Sequence, residues 1–154
     1  MSRGTWDAIQ ALVTALKTIN GVGYHLNFEE RVFTRFLVPE RVGVMPYACV
    51  FLEPDDGGDY PTQEPGWVVA HQSIKLAIFV PETSADAHES AAFQWAAKAR
   101  DDVTKAVLSD PTLGGVVNEM RFGAVQTGAG QGAHGVLFFA VEWFQNQDAA
   151  TLGP

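Results

Sequence analysis

Residues 103–122, Val-Thr-Lys-Ala-Val-Leu-Ser-Asp-Pro-Thr-Leu-Gly-Gly-Val-Val-Asn-Glu-Met-Arg-Phe, require a helix to stop and a strand to start within a few positions. Proline has no amide hydrogen and its ring clashes with the preceding turn, so a helix entering Ser109-Asp110-Pro111 closes there. Gly114 and Gly115 tolerate positive φ, which lets the chain reverse at once. The stretch therefore predicts a helix joined to a strand by one short turn.

Hydrophobic periodicity supplies the elements on either side. Residues 5–19 predict a first helix, because Trp6, Ile9, Val13 and Leu16 recur at spacings of three and four, with Leu12 and Ile19 widening the stripe. Thr5 is placed as its N-cap, Asp7 suits the positive end of the helix dipole, and Asn20-Gly21-Val22-Gly23 stops it. Residues 24–44 read as a strand or loose hairpin with Pro39 at a turn. Residues 47–52 form a strand with apolar residues on both faces, and residues 54–66 a long polar loop. Residues 67–80 are the longest strand: Val68, Ala70, Ile74, Leu76, Ile78 and Val80 share one face, while His71, Ser73 and Lys75 lie on the other. A second helix over 85–108, capped by Thr83 or Ser84, shows a stripe of small residues through Ala92, Ala96, Ala99, Val103, Ala106 and Val107. Strands over 116–126 and 135–145, joined by a glycine-rich tip, complete the series, and 146–154 reads as a disordered tail. The order implies one α+β domain over 1–145, with a mostly antiparallel sheet of four or more strands and two main helices on one face.

Composition narrows the function classes. The net charge is −8, from 18 Asp and Glu against 10 Lys and Arg, so the chain has no general electrostatic grip on a phosphate backbone. The single cysteine, Cys49, sits in an apolar strand and cannot close an internal disulfide. Met-Ser-Arg-Gly-Thr-Trp-Asp at the N-terminus lacks an apolar signal core, and no run is long enough to span a membrane, so synthesis in the cytoplasm and no membrane partner are expected.

Motifs for chemistry fail on spacing. Gly128-Ala129-Gly130-Gln131-Gly132 has Ala133 where the dinucleotide fingerprint needs glycine, and a strand rather than a helix follows. His88-Glu89 begins like a zinc-protease helix, but Ala92 stands where the second histidine must be. The loop carrying Glu53, Asp55, Asp56, Asp59 and Glu64 has five carboxylates and no Lys or Arg across twelve residues, yet Gly66 occupies the closing ligand position of a calcium loop. No catalytic constellation stands out; the expectation is a non-enzyme without cofactor or metal. Arg31-Val32-Phe33-Thr34-Arg35-Phe36 interleaves cations and aromatics, with Glu29, Glu30 and Glu40 cancelling the local charge, and reads as an arm that packs on a neighbouring protein.

The chain resembles the tail terminator (tail completion, head–tail joining) proteins of long-tailed bacteriophages. The resemblance runs through the helix Trp6-Asp-Ala-Ile-Gln-Ala-Leu-Val, Tyr24 in its extended segment, Pro46-Tyr-Ala-Cys-Val-Phe and Lys75-Leu-Ala-Ile-Phe-Val. It continues through Ala99-Arg-Asp-Asp-Val-Thr-Lys-Ala-Val and, most specifically, the turn Asp110-Pro-Thr-Leu-Gly-Gly. It implies a structural virion protein without active site or cofactor. Such proteins assemble in the host cytoplasm as a ring, usually of six copies, at the head-proximal end of the tail tube. The implied partners are other copies, the tube protein and the head–tail connector, with DNA passing through without specific binding. Under this reading, copy-to-copy contacts fall at Tyr24, Phe28, Arg31, Phe33, Arg35 and Phe36, and the acidic loop Glu53–Glu64 faces the channel or its rim. Another neck component and a stand-alone protein-binding domain are the alternatives.

Overall fold

The computed structural model describes residues 4–52, 62–64, 67–81, 91–129 and 134–148. The first helix, α1 (Thr5–Lys17), buries Ala8, Leu12, Val13 and Leu16. Its N-cap is Gly4 rather than Thr5, because Asp7 reaches back and its Oδ2 accepts the Gly4 amide at 2.9 Å. Trp6 departs from the predicted stripe and is 58% exposed. It lies six residues before Leu12, which rotates it about 120° round the helix from the buried line.

Residues 24–44 hold less strand and more turn than predicted. Asn20 and Asn27 form an isolated bridge, β1 (Val32–Phe33) has two residues, and Pro39 opens a one-turn helix, α2 (Pro39–Val42). Proline fits that first helical position because its missing amide would have no partner there. Gly43, at φ 79, closes the turn.

Strand β2 (Tyr47–Phe51) pairs antiparallel with β4 (Trp67–Pro81) and parallel with β1. The predicted polar loop contains a short strand, β3 (Thr62–Glu64), paired with the start of β4. The second helix, α3 (Ala91–Val103), continues into a π-helical turn over Thr104–Leu108; its predicted start and caps at 83–86 fall outside the described residues. β5 (Glu119–Ala129) and β6 (His134–Gln147) follow. Among the described residues the sheet order is β1-β2-β4-β6-β5, with β3 beside β4. The architecture is α+β, as expected, with one parallel pair in an otherwise antiparallel sheet.

β4 and β6 pair over their full length, from Val68–Gln147 to Pro81–His134. Asn146 and Gln147 are thus strand residues, not the start of a tail. Gln145 and Gln147 are buried, and their amides close the sheet against the start of α1: Gln145 Nε2 donates to Gly4 O at 3.1 Å and Gln147 Nε2 to Thr5 Oγ1 at 3.4 Å.

Alternation along β4 and β6 separates two cores. On the helical face, Leu76, Ile78, Phe139, Val141 and Trp143 pack with Leu12, Leu16, Ala99, Val103 and Val107. On the opposite face, Tyr47, Cys49, Ala77, Phe79 and Val136 are covered by Phe33, Leu37, Val42 and Met45. The small-residue stripe of α3 serves the first of these: Ala99 is fully buried, and its methyl lets the helix axis approach the sheet closely.

Candidate functional site

The predicted contact segment is held from below by groups that the sequence reading did not single out. Asp102 of α3 is buried, and its two carboxylate oxygens accept the amides of His25 (3.0 Å) and Leu26 (2.7 Å). One turn on, Lys105 Nζ donates to Gly23 O at 2.6 Å and lies 4.8 Å from the Tyr24 ring centroid. Gly23 sits at φ 77, and a Cβ there would stand 3.1 Å from Nζ, so the ammonium occupies the space that glycine leaves. The available signal for Asp102 was a carboxylate set beside the apolar positions Ala99 and Val103.

These anchors sort the six predicted contact residues. Phe28 is fully buried and belongs to the core, which corrects its placement on a contact surface. Tyr24 is half-buried under Lys105. Arg31 turns inward: Nε and Nη2 donate to Pro46 O at 3.2 and 3.1 Å, Nη2 also to Asn27 O, and Nη1 pairs with Glu29 at 3.0 Å. It ties the segment to the entry of β2 and is spent on that task. Phe33 packs edge-on to Tyr47, with centroids 6.1 Å apart. Arg35 and Phe36 alone of the six are exposed. The Phe36 ring leans on Phe51 and Phe79 at 5.1 and 5.7 Å and remains 43% exposed.

Beneath Phe36 the packing is specific. Tyr47 stacks on Phe79 at 4.7 Å, and its hydroxyl donates to Leu37 O at 2.8 Å. Burial, with Cys49 and Glu40 nearby, pushes the Tyr47 phenol far above its ordinary value. Burial also raises the Cys49 thiol, whose Sγ lies 3.9 Å from the same carbonyl. Both groups stay neutral, and both hold the backbone of the segment in place.

Further along the same sheet face the character changes. His71 stacks on Phe144 with centroids 4.5 Å apart, its Nε2 lies 3.2 Å from Glu142 Oε2, and Arg121 pairs with Glu119 at 2.8 Å. These partly exposed pairs mark a solvated surface, not a reaction centre. Of the predicted acidic loop, Glu53, Asp55, Asp56 and Asp59 lie outside the described residues, and Glu64 falls on β3, opposite Trp67.

A groove of about 330 Å³ runs between α1 and the π-helical turn, lined by Ala11, Thr14, Ala15, Thr18, Ala106, Asp110 and Leu113. The carboxylate at its rim is already satisfied. Asp110 Oδ1 accepts the Thr112 hydroxyl at 2.8 Å and its amide at 3.3 Å, and Oδ2 accepts the Gly114 amide at 2.9 Å. The Thr112 hydroxyl and the Gly114 amide hold the Asp110 carboxyl below the usual range. Among the described residues, no three His, Cys, Asp or Glu side chains converge as metal ligands, and no helix is long and apolar enough to cross a membrane. No protein-family model matches the chain, and no curated protein matches it.

Proposed function

We propose that the protein is a tail terminator of a long-tailed bacteriophage. Copies form a ring on the head-proximal end of the tail tube, stop its polymerisation and join the tail to the head. The observation that carries this reading is the Asp110-Pro-Thr-Leu-Gly-Gly turn, set between an alanine-striped helix and an antiparallel strand pair in the order the resemblance implies. The turn is a stiff surface element. Leu113, Gly114 and Gly115 all take positive φ, and the Asp110 carboxylate collects three donors within it. A stiff, self-satisfied turn suits docking onto another protein, because little conformational freedom is lost on contact.

The charge fits the same reading. DNA crossing a ring of copies at −8 each meets no cationic wall to bind its phosphates, so passage is not stalled. The test is genetic and visual. Phage lacking this protein should yield tails of uncontrolled length or tails without heads in negative-stain micrographs. Tails of normal length joined to heads would overturn the assignment.

A further inference from the structure

Six large apolar side chains among the described residues are exposed, and four of them fall within 17 positions: Phe36 (43%), Val38 (43%), Val44 (53%) and Leu52 (64%). They belong to the segment that crosses the non-helical face at the β2 edge. The segment is fixed in place by Tyr47 Oη on Leu37 O, by Arg31 on Pro46 O and by the α2 turn, in which Gly43 N bonds Pro39 O at 2.8 Å. An exposed apolar cluster on a rigid backbone has the makeup of an interface centre, and its rim is cationic: Arg35 and Arg41 are both exposed.

That rim runs against the rest of the molecule. Residues 34–52 hold two of the chain's ten Lys and Arg but only one, Glu40, of its eighteen Asp and Glu. Elsewhere carboxylates outnumber cations by seventeen to eight. Two copies at −8 repel each other over most approaches, and the repulsion is relieved where the Arg35–Arg41 rim of one meets a carboxylate-bearing surface of the next.

We propose that the surface formed by Phe36, Val38, Val44 and Leu52, rimmed by Arg35 and Arg41, docks a second copy of this chain. The contact is head-to-tail, patch against a different and acidic surface, which is the geometry that closes into rings. The proposal rests on the ring reading above and gives it a surface. It also replaces most of the contact residues read from the sequence, keeping Arg35 and Phe36.

Sedimentation velocity over a wide concentration range, at low and high salt, tests it. Wild-type protein should self-associate, and more weakly at high salt. The double variant Arg35→Glu/Arg41→Glu should raise the dissociation constant at least about tenfold. Val44→Ser/Leu52→Ser should weaken association as well, and both variants should melt as wild type does, since the altered side chains are exposed. Wild-type protein that stays monomeric at every concentration overturns the proposal, as does undiminished association of both variants. Tails of normal length in phage lacking the protein, alongside weakened association of the variants, would remove the tail reading and leave this surface standing. Restoration of tail length by the Arg35→Glu/Arg41→Glu protein would do the reverse.

Discussion

The two faces of the sheet are made by the same strands and are covered differently. The helical face is apolar along β4 from Ile74 to Val80 and along β6 from Leu137 to Trp143, and α1 with α3 seals it. The opposite face is apolar only toward one end, at Ala77, Phe79 and Val136, where the 33–46 segment lies on it. Beyond that it turns polar, through Lys75, Ser73 and His71. Helices cover a whole face because their stripe matches the strand length. A loop covers only what its few side chains reach, and it holds its place by hydrogen bonds to its backbone. Stability therefore rests mainly on the helical face, and surface recognition on the loop-covered one.

The largest test of that division is Phe139→Ala on the helical face. Phe139 is 2% exposed, and its removal should cost about 3–5 kcal/mol, read from chemical denaturation. A loss under about 1 kcal/mol would show that the helical face is loosely packed. Next comes Asp102→Ala, which strands the His25 and Leu26 amides. Each unsatisfied buried donor costs about 1–3 kcal/mol, so the variant should melt several degrees lower, with faster hydrogen exchange concentrated at residues 20–28.

On the loop-covered face the expected effect is smaller. Tyr47→Phe deletes one hydrogen bond to Leu37 O and should cost about 1 kcal/mol. Its informative readout is the Cys49 thiol, which should react with alkylating reagent faster than in wild type, because the cover over it has lost an anchor. Unchanged reactivity would mean that the cover is held by packing alone.

The smallest effect is confined to acid. The Asp110 carboxyl titrates lower in the folded chain than in the unfolded one, so its contribution is complete above the unfolded value of about 3.9 and is lost as pH falls through the folded value. Asp110→Asn should therefore melt below wild type at neutral pH, with the gap closing as pH drops under about 4. A gap that widens in acid would invert the sign and remove Asp110 from the list of stabilising groups.

What the sequence made legible follows the same division. Val80, Ile78, Leu76 and Ile74 alternate because water lies on neither side of them, and such alternation is readable without coordinates. The stop at Ser109-Asp110-Pro111 is equally local. Residues 24–44 were misread because their conformation is set by distant partners. Asp102 lies about 77 positions from His25, and Pro46 fifteen from Arg31, so no local period reports either contact. Phe28 shows the cost of that blindness: an aromatic among polar neighbours looked like a contact residue, yet its amide bonds Ile19 O and its ring enters the core. The π-helical turn and the two-residue β1 escaped for the same reason. Each is stabilised by tertiary packing and carries no propensity of its own.

One bond in the Asp110–Val117 turn bears on how the protein behaves in concentrated solution. β5 lies at the margin of the sheet with β6 as its one strand neighbour, and a bare margin of that kind recruits foreign strands and seeds fibrils. Here the outward amide of Met120 is already taken, by Pro111 O at 2.8 Å, and the register break between Phe122 and Val125 bends the strand just beyond. The doorway to runaway growth is closed at its threshold by the same few residues that end the helix. Loosening the turn should thus show itself first on the storage shelf, as slow precipitation in a protein whose melting temperature has scarcely changed.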